Sequence, residues 1–138
     1  MTGWVDGPML GYDCEATGVS VESDHILSAS LVHQHGWDSG YAVQATTEWI
    51  NPGVPIPAAA TAIHGITDEQ IALNGGDPAE TLDAITSVIE VVLAAGTPLV
   101  GMNVPYDLTI LDRNCRRHGV IPLSARCEIA PVIDIMVL

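Results

Sequence analysis

The 138-residue chain contains no lysine and no phenylalanine. Its four arginines, Arg113, Arg116, Arg117 and Arg126, fall in one short stretch, and residues 1–112 hold fifteen acids without a single Lys or Arg. The net charge is −13. This balance lacks the basic footprint of duplex-binding proteins and argues against tight, salt-driven binding to a long duplex. Most of the surface acids read as serving solubility. Cys14, Cys115 and Cys127 stand at unrelated spacings, which points to neither a disulfide framework nor a zinc site. No run of 18 apolar residues is present, so no helical membrane span is expected. The opening residues, Met1 to Asp6, lack the basic and apolar regions of a signal peptide, and the cytoplasm is the expected location.

What is present suits a folded domain. Hydrophobic residues make up 48% and charged residues 15%, a globular rather than disordered balance. The length fits one domain, residues 1–138, with one core. Pro8 to Glu15, Ile26 to Gln34 and Tyr41 to Ile50 read as three strands of an antiparallel meander. Tyr41, Val43, Ala45, Thr47 and Trp49 would share one face. Short helices are expected over 57–63, stopped by Gly65, and over 68–73, capped by Thr67. A long helix follows, with Asp77 as N-cap, Pro78 at its first position and Glu80 at capping-box spacing. Leu82, Ile85, Val88, Ile89, Val92 and Leu93 form its apolar stripe. Pro98 to Gly101 reads as a short buried strand, Pro105 to His118 as a helix opening on Pro105, and Pro131 to Asp134 as a last strand. Asp134 would cap a helix opening just before Leu138. Strands, helices, strand, helix, strand in that order predict an α/β layer around a mixed sheet.

The chemistry-bearing segment is Gly11-Tyr12-Asp13-Cys14-Glu15-Ala16-Thr17-Gly18. Asp13 and Glu15 stand two apart on a strand and therefore point to one face. Two carboxylates that close repel unless a proton or cation lies between them. A hard divalent ion, Mg2+ or Mn2+, is the natural occupant. Asn103 and Asp107 follow between a strand and a helix, with Asp107 in the first turn, where the helix dipole steadies a carboxylate. Ile56-Pro57 and Ile63-His64-Gly65-Ile66-Thr67 lie between strand three and the long helix.

These three segments resemble, in the same order, those of the DEDDh 3'-5' exonucleases, the family of the epsilon subunit of bacterial DNA polymerase III. That family typically reads Asp-x-Glu-Thr-Thr-Gly at the first motif and Asn-x-x-x-Asp at the second. The resemblance covers about residues 9–138, and the residues match most closely free-standing forms from actinobacteria and their phages. It implies a ribonuclease H-like fold, incomplete at the C-terminus. It implies that Asp13, Glu15 and Asp107 are catalytic and bind two metals about 4 Å apart. Asp13 would bridge both ions, Glu15 would bind the one that carries water, and Asp107 the second. Ala16, through its backbone N–H, with Thr17, His64 and Asn103, would contact the substrate, a single-stranded 3' end, DNA rather than RNA. A DNA polymerase is an implied partner, and a bacterial or phage-infected cell the setting.

The family's third motif, His-x-x-x-x-Asp, has no counterpart before Leu138. His33 to Asp38 has that spacing but sits in the hairpin turn, and reads as chance. The expectation is that a chain ending at Leu138 is weak or inactive and exposes apolar surface that favours association. The alternatives from other classes are a non-catalytic relative that binds a nucleic-acid end or a polymerase, a related hydrolase acting on RNA, and a plain structural domain.

Overall fold

The computed structural model describes residues 6–136. Strand β1 (Met9–Ala16) is central, with β2 (Ile26–Gln34) antiparallel beside it and β3 (Val43–Trp49) antiparallel beyond. On its other side β4 (Leu99–Gly101) and β5 (Val132–Asp134) run parallel to β1, giving the order β3-β2-β1-β4-β5. The expected meander plus parallel strands is thus present, with helices α1 (Ala58–His64), α2 (Asp68–Asn74), α3 (Pro78–Ala94) and α4 (Val104–Arg117).

Alternation along β1 decides which face is which. Leu10, Tyr12, Cys14 and Ala16 are buried, while Asp13 is exposed and Glu15 half-buried on the opposite face. The buried set packs with Leu82, Ile85 and Ile89 of α3 and Ile110 and Leu111 of α4. Each of the buried Leu and Ile side chains contributes about 1.5–3 kcal/mol on burial.

An irregularity near the end of β1 feeds a second cluster. Glu15 pairs with Ser28 but Ala16 pairs with Ile26, so Leu27 is the extra residue. Ile26 stays in the main core, and Leu27 packs with Ile56, Ala60, Ile66 and Ile71 under α1 and α2. Gly65 ends α1 with a φ of 75°, a conformation that favours glycine. Thr67 caps α2 with a reciprocal box to Gln70, and Asp77 accepts from the Glu80 N–H at 3.0 Å.

Two expectations are corrected, on α4 and on β3. Helix α4 begins at Val104, so Pro105 stands second rather than first. Tyr41 lies outside β3 in a left-handed conformation (φ 57°), and Val43 to Thr47 form an edge exposed on both faces. Asp134 caps α4, its Oδ1 accepting the Asn103 N–H at 3.0 Å and its Oδ2 the Val104 N–H at 3.1 Å, and Oδ1 also accepts the N–H of Met136, two residues on, at 3.0 Å. Ile135 and Met136 form a turn, and the rest of the helix expected after Asp134, residues 137–138, lies outside the described residues. Cys14, Cys115 and Cys127 are free, the first two buried.

Candidate active site

The strand pleat places Asp13 and Glu15 on the face away from α3 and α4. Their partners across β2 are Ser30 and Ser28, small residues that leave the carboxylates room. Asp107 arrives from the first turn of α4, only 3% exposed. Gly101 allows α4 to start so close to β1: a Cβ there would lie 2.9 Å from the Tyr12 carbonyl oxygen and 2.9 Å from Val104 Cγ2. The Cys14 thiol, buried between strand and helix, donates to Asp107 Oδ1 at 3.0 Å.

Electrostatics link the three carboxylates. Burial, followed by the negative charges of Asp13 and Glu15, pushes the Asp107 carboxyl up to about 6, against opposing hydrogen bonds from the Cys14 side chain and backbone. Burial and the Asp107 charge push the Cys14 thiol up as well, which keeps it a donor. No ion pair joins Asp107 to a cationic side chain among the described residues. All three groups are oxygen donors, the ligand type a hard divalent cation takes, and one of them is nearly buried and short of positive charge. The fit is not a closed cage. Among the described residues, no three His, Cys, Asp or Glu side chains are arranged to hold one ion.

Beside Glu15 lies a cavity of about 230 Å³, lined by Ala16, Gly18, Ile63, His64 and Tyr106 among others. The Tyr106 hydroxyl donates to the Gly18 carbonyl at 3.1 Å, tying α4 to the loop after β1. Val19 and Ile63 stand at its lips, 86% and 84% exposed. Tyr106 escaped the sequence reading, although it immediately precedes Asp107. Cys14 escaped it as the variable residue between two carboxylates.

The other sequence-predicted residues have identifiable structural work. His64 Nδ1 accepts the Ile66 N–H at 3.0 Å, so Nε2 carries the proton and donates to the Ala16 carbonyl at 3.1 Å. The Thr17 hydroxyl donates to Asp24 Oδ1 and accepts the His25 N–H, both at 2.9 Å. Asn103 adopts φ 58°, a left-handed conformation that Asn tolerates better than most residues, and donates its N–H to Asp134. His33 lies on β2 and Asp38 in the turn Trp37–Ser39, and the His33 ring stacks on His35 at 4.5 Å.

The chain resembles known proteins in sequence and in fold. The RNase_T family model, described as Exonuclease, matches residues 10–138. A PolC-type DNA polymerase III from Streptococcus thermophilus is 32% identical over 125 residues, 89% of this chain and 7% of the relative. The PolC-type polymerase of Streptococcus sanguinis is 28% identical over 129 residues, 94% of this chain and 8% of the relative. The chain thus spans less than a tenth of these polymerases. Among solved structures, an exonuclease I from Methylocaldum szegediense superposes with a TM-score of 0.77 at 21% identity, covering 94% of this chain and 28% of that one. E. coli exonuclease I in complex with a dT13 oligonucleotide gives 0.76 at 20% identity, covering 94% and 28%. The fold is shared with these enzymes, and the chain belongs to the RNase_T exonuclease family, DEDD-type proteins of the ribonuclease H-like superfamily.

Proposed function

We propose that this chain acts as one domain, a metal-dependent 3'-5' exonuclease that removes nucleotides from the 3' end of single-stranded DNA. The observation that carries the reading is the pairing of Asp13 and Glu15 on an open sheet face with the nearly buried Asp107. Exonucleases of this family generally use divalent metal ions. Two Mg2+ or Mn2+ ions bound here would activate the attacking water and stabilise the leaving 3'-oxygen. Asp13 would hold both ions, Glu15 the one that carries water, and Asp107 the other.

The cavity lined by Ala16, Ile63 and Tyr106 receives the terminal nucleotide. The Ala16 backbone N–H meets its 3'-hydroxyl. Thr17 and His64 act on the substrate by fixing that wall, and Asn103 by setting the entry of α4. A polymerase is the natural partner, since polymerases carry the related stretch as a small part of their length. The cytoplasm is the compartment. Among the described residues, no helix is long and apolar enough to cross a membrane.

One observation favours a second reading. The carboxylates do not close on an ion by themselves, which suits a relative that holds a 3' end without cutting it. Incubating the protein with a 5'-labelled single-stranded oligonucleotide and Mn2+ or Mg2+ separates the two. A ladder of shortened labelled strands is expected. Immediate release of labelled mononucleotide would reverse the polarity, and binding without any product would favour the second reading.

A further inference from the structure

We propose that Cys14 is a positioning residue for the metal site, its thiol fixing the orientation of the Asp107 carboxylate toward Asp13 and Glu15. The inference rests on the metal-dependent reading above. Strand alternation turns Cys14 to the face opposite Asp13 and Glu15, so it does not join them as a ligand. It reaches Asp107 instead, with 3.0 Å between Sγ and Oδ1. Cys14 is 7% and Asp107 3% exposed, so little water competes for this contact.

A thiol brings a single proton, and Asp107 is the acceptor it meets. The Tyr12 hydroxyl, two residues earlier on the same face, is buried beside the thiol and carries no charge to compete with Asp107. Among the described residues, no cationic side chain is paired with Asp107 to set its rotamer electrostatically. Groups that hydrogen-bond a metal-binding carboxylate from behind typically alter metal affinity by about 10–100-fold when removed. Here that group is the residue between the two strand carboxylates, so one short segment both supplies ligands and aims a third.

The test measures Mn2+ binding directly, by the electron paramagnetic resonance signal of free Mn2+, alongside thermal unfolding. Cys14→Ala and Cys14→Val remove the donor, whereas Cys14→Ser keeps one. The expected result is Mn2+ affinity weakened about tenfold or more in Cys14→Ala and Cys14→Val, and largely restored in Cys14→Ser. A lowered melting temperature in Cys14→Ala with unchanged Mn2+ affinity would mark a packing role and overturn the proposal. Should Val fail to fold, Ala against Ser carries the comparison. Failure of the unmodified protein to bind Mn2+ would overturn the metal reading itself and this proposal with it.

Discussion

Asp134 at the end of β5 caps α4 by accepting the N–H of Val104 at 3.1 Å, and that of Asn103 at 3.0 Å with its other oxygen. Strand and helix are thereby joined three residues before Asp107. The carboxylate meets donors that the helix cannot pair internally, and it lies where the helix dipole favours negative charge. Asp134→Ala is expected to cost about 1–2 kcal/mol in urea unfolding, and Asp134→Asn less. Because α4 carries Asp107, the same change should weaken Mn2+ binding. Unchanged stability in Asp134→Ala would contradict the cap.

Asp107 makes the metal-free protein sensitive to pH. Its folded value, about 6, lies above the ordinary 3.8, so the folded state holds this proton more tightly than the unfolded chain. The associated stability is complete below the ordinary value and is lost as pH rises through about 6. The two-unit displacement corresponds to about 2–3 kcal/mol. Asp107→Asn should therefore be more stable than the unmodified protein near neutral pH, with the difference fading towards pH 4. A difference that does not vary with pH would refute the assignment. Saturating Mn2+ should narrow the gap at neutral pH by stabilising only the unmodified protein.

His64 braces the end of β1 through both ring nitrogens. Its replacement by Ala should cost about 1–2 kcal/mol, from two lost hydrogen bonds and an unsatisfied Ile66 N–H. Mn2+ affinity should stay within about twofold, since His64 approaches the site through the Ala16 carbonyl and not through a carboxylate. A large loss of Mn2+ affinity without loss of stability would instead make it a ligand.

Val19 and Ile63 are large apolar side chains left in solvent at the lips of the cavity. Ile63→Ser and Val19→Ser should leave stability within about 0.5 kcal/mol. If the lips hold the terminal nucleotide, KM for an oligonucleotide rises severalfold while kcat is kept. Equal KM in both variants would remove these residues from the substrate path.

Much of the site was legible because its logic is local. The i, i+2 spacing of Asp13 and Glu15 on a strand gives their shared face directly, and Asp77-Pro78 marks the start of α3. What stayed hidden depends on contacts between distant residues. Asp134 is an N-cap, but of a helix that starts 30 positions earlier. Thr17 and His64 resemble substrate contacts, yet their polar atoms are engaged by Asp24, His25, Ile66 and Ala16. The irregular register that sends Leu27 to a second cluster leaves no mark in the apolar pattern Ile26-Leu27. Cys14 and Tyr106 look like spacers until strand and helix meet.

The central claim is that Asp13 and Glu15 build a metal-dependent nuclease centre. It is tested most directly by comparing the unmodified protein with Asp13→Asn on 5'-labelled single-stranded DNA across a Mn2+ series. The account predicts a shortening ladder that needs Mn2+ and falls about a hundredfold or more in Asp13→Asn, with the folded state kept. Equal shortening by both proteins, or shortening that persists without metal, would contradict it.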